Sequence, residues 1–390
     1  MTEPAGGQPG WIVDDPSAVT PEWMTGALRR GGTDTEVVGL RHQPVGGGQL
    51  SSSYRFHLDV RPGGTGVRPG GTDQVPSSVV LKMAAGSPEG RGQIAPGYRS
   101  EVGYYTRFAP SARIRVPRCW SADISADGRS FTLVLEDGHP ARPGLQVEGC
   151  DVRQAEAALR NLAGLHGSFW NKPDLADGAD WLRQTDEAAL GFLSEVFAGA
   201  MAPFLDRFRD RLAPTDTDTL LRTADLLARW GRHVGTRHTL IHGDYRLDNL
   251  LFTEPRAAGE SHESAESHGL TASREVTALD WQSLEIGFPG RDVAYFLATA
   301  LPPALRRAQE KNLVRAYHER LVRMGVDDYP LDDCFHDYRL GTPQAPLLTV
   351  LGSVYATNEP TESSDRMFLS MITNACAAIH DLGTLDLLAP

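Results

Sequence analysis

Apolar positions along this chain follow two different periods. In the first third they form short β-prone runs bounded by glycine, proline and serine, as in Ser78-Val-Val-Leu-Lys-Met83 and Phe131-Thr-Leu-Val-Leu135, a pattern that predicts strands. From Asp151 the steps lengthen to three and four. Ala155, Ala158, Leu159, Leu162, Leu165 and Phe169 share one face, so the segment to Trp170 reads as a long amphipathic helix capped by Asp151. The same spacing predicts helices over 216–234, 308–324 and 367–382, with another beginning at Phe335. Near the start, Thr20-Pro-Glu-Trp carries an N-cap and a first-turn proline, and Gly31-Gly32 supplies a stop, which predicts a short helix. Short apolar strands are expected at Leu240, at Leu250–Phe252 and at Val276–Leu279. The run from Phe131 passes through Glu136-Asp137-Gly138 towards Pro140 and reads as an edge strand entering a linker. That places a domain boundary between 1–138 and 139–390.

Composition narrows the class. With 390 residues, 41% of them hydrophobic, and no apolar run long enough to cross a bilayer, the chain has the material for two domains or one large two-part unit. A net charge of -12 disfavours nucleic acid and anionic membrane as partners. The first residues lack the basic and apolar regions of a secretory signal, so a cytoplasmic location is expected, and with it a monomer or weak homodimer. Cys119, Cys150, Cys334 and Cys376 are scattered without a CxxC pair, which argues against a disulfide framework or a structural zinc; they read as core thiols. Asp327, Asp328, Asp332, Asp333 and Asp337 read as a solvated acidic face.

The polar residues inside apolar runs carry the candidate chemistry. Lysine occurs only at Lys82, Lys172 and Lys311, and Lys82 stands inside a β-prone run where an ammonium needs a partner. Glu101, beside the helical face of Val102, Tyr105 and Phe108, is the candidate carboxylate, the pair being of the strand-lysine to helix-glutamate kind that positions phosphates. Upstream, Gly46, Gly47 and Gly48 suit a hairpin whose backbone closes over a polyphosphate, with Ser51 able to donate its hydroxyl. The backbone at Glu136 and Asp137 is a candidate for binding a nucleotide base. In Leu240-Ile-His-Gly-Asp-Tyr-Arg-Leu-Asp-Asn-Leu-Leu-Phe252 and Val276-Thr-Ala-Leu-Asp-Trp-Gln282, polar clusters sit at the ends of apolar strands. Asp244 can accept a proton there, while Asn249 and Asp280 supply oxygen ligands for a hard cation, which together is the layout of a magnesium-ATP phosphoryl-transfer centre. His166 reads as a hydrogen-bonded core residue, and His262 and His268 as part of a polar loop spanning Thr253 to Glu275.

His242-Gly-Asp-Tyr-Arg-Leu-Asp-Asn249 followed by Leu279-Asp-Trp-Gln282 resembles the aminoglycoside phosphotransferase and choline kinase superfamily, whose fold is similar to that of protein kinases. Gln282 after Asp280-Trp281 looks more like that superfamily's ecdysteroid-kinase-like branch and its bacterial relatives. The resemblance runs in order through the glycine hairpin, Lys82, Glu101, the 136–137 hinge, Leu165-His166, the catalytic loop and Gly290-Arg-Asp-Val-Ala-Tyr-Phe-Leu297. It implies an α+β, bilobal protein-kinase-like fold with a small β-rich N-terminal lobe and a larger, mainly helical C-terminal lobe. It also implies an ATP- and Mg2+-dependent small-molecule kinase acting on a hydroxyl acceptor. In it Asp244 is the base or orienting carboxylate, Arg246 a phosphate-neutralising cation, and Asn249 and Asp280 the magnesium ligands. His242 and Asp292 hold the loop backbone. The alternative reading is a catalytically silent relative that binds nucleotide or ligand.

Overall fold

The computed structural model describes residues 10–46, 50–62, 75–87, 89–184, 187–233, 237–253, 275–356 and 359–389. Gly47, Gly48, His262 and His268 lie outside the described residues. The chain divides into two compact units, Met1–Pro110 with Pro117–Asp137, and Ser111–Val116 with Gly138–Pro390. The first is β-rich and the second mainly helical, a mixed α+β protein as the resemblance implies.

Helix α1 (Pro21–Arg30) opens the first unit as its caps predict: the Thr20 hydroxyl accepts from Trp23 N at 3.2 Å, Pro21 takes the first turn, and the chain leaves at Gly31. Strands β1 (Thr35–Pro44), β2 (Ser51–Pro62) and β3 (Ser78–Ala84), helix α2 (Arg91–Gly103), and strands β4 (Cys119–Ile124) and β5 (Phe131–Glu136) follow. The sheet is antiparallel in the order β1-β2-β3-β5-β4. Period two sorts its faces. Val79, Leu81 and Met83 of β3 pack with Phe56 and Leu58 of β2 and with Met24 and Leu28 of α1, so Lys82, which alternates with them, points to the other face. There α2 lies against the sheet, with the Tyr98 and Phe131 rings 4.6 Å apart. A single wide π-type turn, Tyr104–Phe108, continues α2.

Strand β5 does not sit at the expected edge. It lies between β3 and β4, and Phe131 to Leu135, Thr132 included, are buried on both faces, as in an interior strand. The edge is β4, whose partly exposed residues gave no comparable signal.

The second unit begins with the two-residue strand β6 (Arg142–Pro143) and helix α3 (Val152–Ser168). Asp151 and Gln154 form a capping box on α3, each side chain accepting from the other's backbone N–H, at 2.7 and 3.0 Å. Ser111–Val116 belongs here because its backbone bonds to this unit: Arg113 N to Ser168 Oγ at 2.9 Å, Arg115 N to Asn161 Oδ1 at 2.8 Å. Gly164 admits this close approach, since a Cβ there would stand 2.1 Å from the Arg113 carbonyl.

Strand β7 (Arg183–Gln184), helices α4 (Glu187–Phe208) and α5 (Pro214–His233), and strands β8 (Thr239–Ile241), β9 (Leu250–Phe252), β10 (Val276–Ala278) and β11 (Glu285–Gly287) come next. After them run α6 (Gly290–Ala300), α7 (Pro303–Val322), α8 (Leu331–Gly341), α9 (Gln344–Val354), α10 (Glu362–Asp381) and α11 (Thr384–Leu387). The short strands form two separate sheets, β10-β9-β6 and β7-β11-β8. Helices α4 and α9 escape the pattern analysis for one reason. Both are apolar with no clear polar stripe, and Phe197, Phe204 and Val350 from them join Trp230 and Ile372 in the core. Helices α7 and α10 start earlier than expected, at Pro303 and Glu362, where a first-turn proline and a Thr361–Ser364 capping box supply the starts.

The acidic stretch near residue 330 is not uniformly a solvated face. Asp337 is buried and accepts from Arg237 Nη1 at 3.2 Å and from the Tyr329 hydroxyl at 2.9 Å, while Asp333 takes Arg237 Nη2 at 2.6 Å. Arg237 is distant in sequence, so spacing alone could not pair it. Cys334 and Cys376 are core thiols; Cys119 and Cys150 are only partly covered, and all are free. Among the described residues no helix is long and apolar enough to cross a membrane.

Candidate functional site

In the first unit, Lys82 Nζ donates to Glu101 Oε1 at 2.6 Å, with side-chain exposures of 11% and 1%. Burial on the α2 face makes the pair obligatory, since either charge alone would be stranded away from water. Gly46, at the entry to the β1–β2 turn, has φ +72 and open space around it. Ser51 begins β2 and is buried opposite Ala84. The chain end of this unit is anchored by side chains. Asp137 accepts from Arg55 Nε at 2.6 Å and from the Ser78 hydroxyl at 2.7 Å, and the exposed Glu136 carboxylate accepts from Arg118 N at 3.1 Å.

In the second unit, β8 delivers the chain into the loop 242–246, and the 3-10 turn Leu247–Asn249 delivers it into β9. Gly243 carries φ +80 and a Cβ there would stand 2.3 Å from the Ser283 carbonyl, so the sharp bend requires glycine. Asp292 of α6 holds this bend from behind, its Oδ2 accepting from His242 N at 2.7 Å and its Oδ1 from Gly243 N at 3.0 Å. Burial opposes the Asp292 charge, yet the hydrogen bond and field of His166, with those of His242, hold its carboxyl below the usual range. His166 is the core residue expected, bridging Asp292 at 3.3 Å and the Tyr317 hydroxyl at 2.7 Å. His242 uses both ring nitrogens: Nδ1 accepts from Asp244 N at 3.3 Å and Nε2 donates to Leu279 O at 2.9 Å. It thereby ties the Asp244 backbone to the residue before Asp280.

Asp244, partly exposed, has both carboxylate oxygens engaged. Oδ2 accepts from Asn249 Nδ2 at 3.0 Å and lies 3.5 Å from Arg246 Nε; Oδ1 accepts from the Tyr295 hydroxyl at 3.0 Å. Asn249 Nδ2 also donates to the Asp244 carbonyl at 2.9 Å, which turns the Asn249 amide oxygen the other way. Asp280 takes φ +64, a left-handed conformation uncommon for aspartate, directly after Leu279 N bonds the Asn249 carbonyl at 2.9 Å. Arg246 reaches Asp248 at 3.2 Å and the Met367 sulfur of α10 at 3.5 Å. Burial works against the Arg246 charge, but the carboxylate of Asp244, with Tyr295, Asp248 and Asp280 around it, raises its pKa above the ordinary value. The guanidinium is therefore a fixed cation between acidic neighbours.

Three supports were not legible beforehand. Tyr295 stands within the Gly290–Leu297 motif, where nothing local gives it a role. Gln146, buried in the linker after β6, accepts from Leu247 N at 3.0 Å and donates to Thr299 O at 2.8 Å, while its own N–H bonds Asp248 Oδ1 at 3.1 Å. Gln344 accepts from Arg291 Nε at 2.8 Å and reaches the Gly243 carbonyl at 3.5 Å. No local pattern marks these glutamines, one in a linker and one at the first position of α9.

The donor set suits one kind of cation. Asn249 turns an amide oxygen away from Asp244, and Asp280 adds a carboxylate; magnesium takes one or two such protein oxygens and completes its shell with water and phosphate. Among the described residues no group of three or more His, Cys, Asp or Glu is set to hold an ion by itself, so a closed transition-metal cage is not what these residues build.

A sequence model of the ecdysteroid kinase-like family matches residues 73–326. No curated protein matches the chain in sequence. Among solved structures, the chain is similar to an ethanolamine kinase from Plasmodium vivax, at 10% identity and TM-score 0.49, covering 87% of this chain and 83% of that one. It is similar to the GDP complex of an aminoglycoside 2'-phosphotransferase of type IIIa, at 14% identity and TM-score 0.49, covering 87% and 93%. The apoenzyme of a macrolide 2'-phosphotransferase from Brachybacterium faecium gives 16% identity and TM-score 0.41, covering 87% and 99%.

Proposed function

We propose that this chain, which belongs to the ecdysteroid kinase-like family, transfers the γ-phosphoryl group of ATP to a hydroxyl of a small molecule. The observation that carries the reading is Asp244, which follows two backbone N–H groups, of His242 and Gly243, capped by a buried carboxylate, and whose own carboxylate is fixed by donors on both oxygens. Phosphoryl transfer depends on positioning and charge neutralisation more than on a strong base, and a carboxylate held at both oxygens suits an orienting role. In this reading Asp244 accepts the hydrogen bond of the acceptor hydroxyl, aims its oxygen, and takes its proton as the new bond to phosphorus forms.

Asn249 and Asp280 would hold magnesium, which would supply neutralisation of charge on the phosphate oxygens and the leaving group. Lys82, kept charged and extended by Glu101, pairs with nucleotide phosphate oxygens. Gly46, Gly47, Gly48 and Ser51 contribute backbone and hydroxyl donors to the same phosphates, and the chain at Glu136 and Asp137 supplies backbone groups to the base. Arg246, 3.5 Å from the Asp244 carboxylate, neutralises negative charge on the transferring phosphoryl group.

The test is consumption of magnesium-ATP across a panel of hydroxyl-bearing metabolites and antibiotics, with product mass as the readout. A product heavier by one phosphate, lost in an Asp280→Asn variant, is the expected result. A broad panel with no turnover, with nucleotide still bound, overturns the kinase reading in favour of a silent binder.

A further inference from the structure

We propose that Tyr295 is a positioning residue for the transfer: its hydroxyl fixes the plane of the Asp244 carboxylate, and together with Asp292 it makes α6 the platform that holds the catalytic loop by backbone and side chain at once. The proposal rests on the kinase reading above. Asp292 and Tyr295 are three residues apart on one helix, so both project from the same face, one turn from each other. Asp292 takes the backbone N–H groups of His242 and Gly243; Tyr295 takes Oδ1 of Asp244 at 3.0 Å. Every residue of α6 is buried, which makes it a rigid base for both contacts.

The bond to Tyr295 does something the other donors do not. The last torsion of an aspartate is broad and weakly preferred, so the plane of its carboxylate is set by hydrogen bonds and not by the side chain itself. Asn249 and Arg246 both act on Oδ2. Without Tyr295 the carboxylate is held at one oxygen and can turn about that point, and a small misalignment of an orienting group lowers the rate steeply. Tyrosine has two side-chain torsions and its ring here is 2% exposed, so its hydroxyl reaches Asp244 at little cost in freedom. Burial, and then the charge of Asp244, push the phenol well above its ordinary pKa, which keeps it a donor at any working pH.

Tyr295→Phe removes the hydroxyl and keeps the ring. With magnesium-ATP hydrolysis as the probe, kcat should fall roughly ten- to a hundredfold, the usual effect of deleting a hydrogen bond to a charged group, while KM for ATP stays within about twofold. In an Asp244→Asn background the same change should have no further effect, because Tyr295 acts only through that carboxylate. Crystal structures of the wild type and of Tyr295→Phe supply a readout independent of turnover, and the Asp244 carboxylate should be rotated in the variant. An unmoved carboxylate, an unchanged kcat, or a loss that persists in the Asp244→Asn background overturns the proposal while leaving the kinase reading intact. A wild type that moves no phosphate onto water or any acceptor overturns the kinase reading, and the positioning role with it, even if the carboxylate rotates.

Discussion

The lysine–glutamate pair of the first unit and the aspartate loop of the second are held in opposite ways. Lys82 and Glu101 stand 19 positions apart, and one ion pair between a strand and the helix that follows fixes both. Asp244 is held by groups much further along the chain: Tyr295 lies 51 positions away, and Gln146 bonds the neighbouring Leu247 across 101. The first arrangement centres on one short charged contact between elements that are close in sequence. The second spreads its restraint over the Asp292 cap, the His242 bridge, two glutamines and a phenol. A buried pair should therefore fail in stability when one half is removed, whereas the loop should fail in rate when its reacting group is removed and only by degrees when a support is lost.

The largest effect should come from the loop. Asp244→Ala is expected to lower kcat by about two to four orders of magnitude, with the melting temperature little changed because the side chain is partly exposed. Steady-state kinetics beside a melting curve checks both halves, and a normal rate removes Asp244 from the mechanism. Next comes the pair. Lys82→Met leaves the Glu101 carboxylate buried without its ammonium, and stability should drop by about 3–5 kcal/mol in urea titration. The double variant Lys82→Met/Glu101→Leu should recover most of that loss. If the double variant is no more stable than the single, the loss does not come from leaving the buried Glu101 carboxylate without its ammonium.

This division also marks what was legible in the sequence. The pair could be foreseen because a lysine in an apolar strand is conspicuous and its partner lies on the next helix. Asp244, Asn249 and Asp280 stood out because polar residues interrupt apolar strands. The caps of α1 and α3 were readable for a local reason, since capping chemistry acts within three residues. Gln146 and Tyr295 could not be assigned roles, because a glutamine in a turn and a tyrosine in an apolar helix become informative only when a distant loop is brought to them. The interior place of β5 and the burial of Asp337 are hidden for a similar reason: each depends on a partner, β4 or Arg237, that no spacing reveals.

A support of the loop should show a moderate, pH-dependent effect. The Asp292 carboxyl is held below its usual range in the folded protein, so the unfolded chain binds its proton more readily. Its contribution is then fully present above a pH of about 4, the ordinary aspartate value, and is lost as pH falls below that. Asp292→Asn should cost about 1.5–3 kcal/mol at neutral pH, the range for a hydrogen bond to a charged group, and the cost should shrink as pH falls through the acid range. Urea titrations at neutral pH and near pH 3 measure this. A cost that stays constant or grows towards acid would mean that the charge on Asp292 is not what holds the His242 and Gly243 backbone.

The smallest effect belongs to Glu136, and it tests whether the nucleotide base is met by backbone where Lys82 and the loop residues act through side chains. Glu136 ends β5, its N–H donating to the Arg118 carbonyl at 2.8 Å, and its exposed carboxylate does no more than accept from Arg118 N. If this stretch receives the nucleotide base through main-chain groups, Glu136→Ala keeps every one of them. KM for ATP should then move by less than about twofold and stability by less than about 1 kcal/mol, the worth of one exposed hydrogen bond. A tenfold rise in KM with stability unchanged would instead make the Glu136 side chain a direct nucleotide contact. The end of β5 would then resemble the Asp244 loop, with a side chain at the end of a strand making the contact.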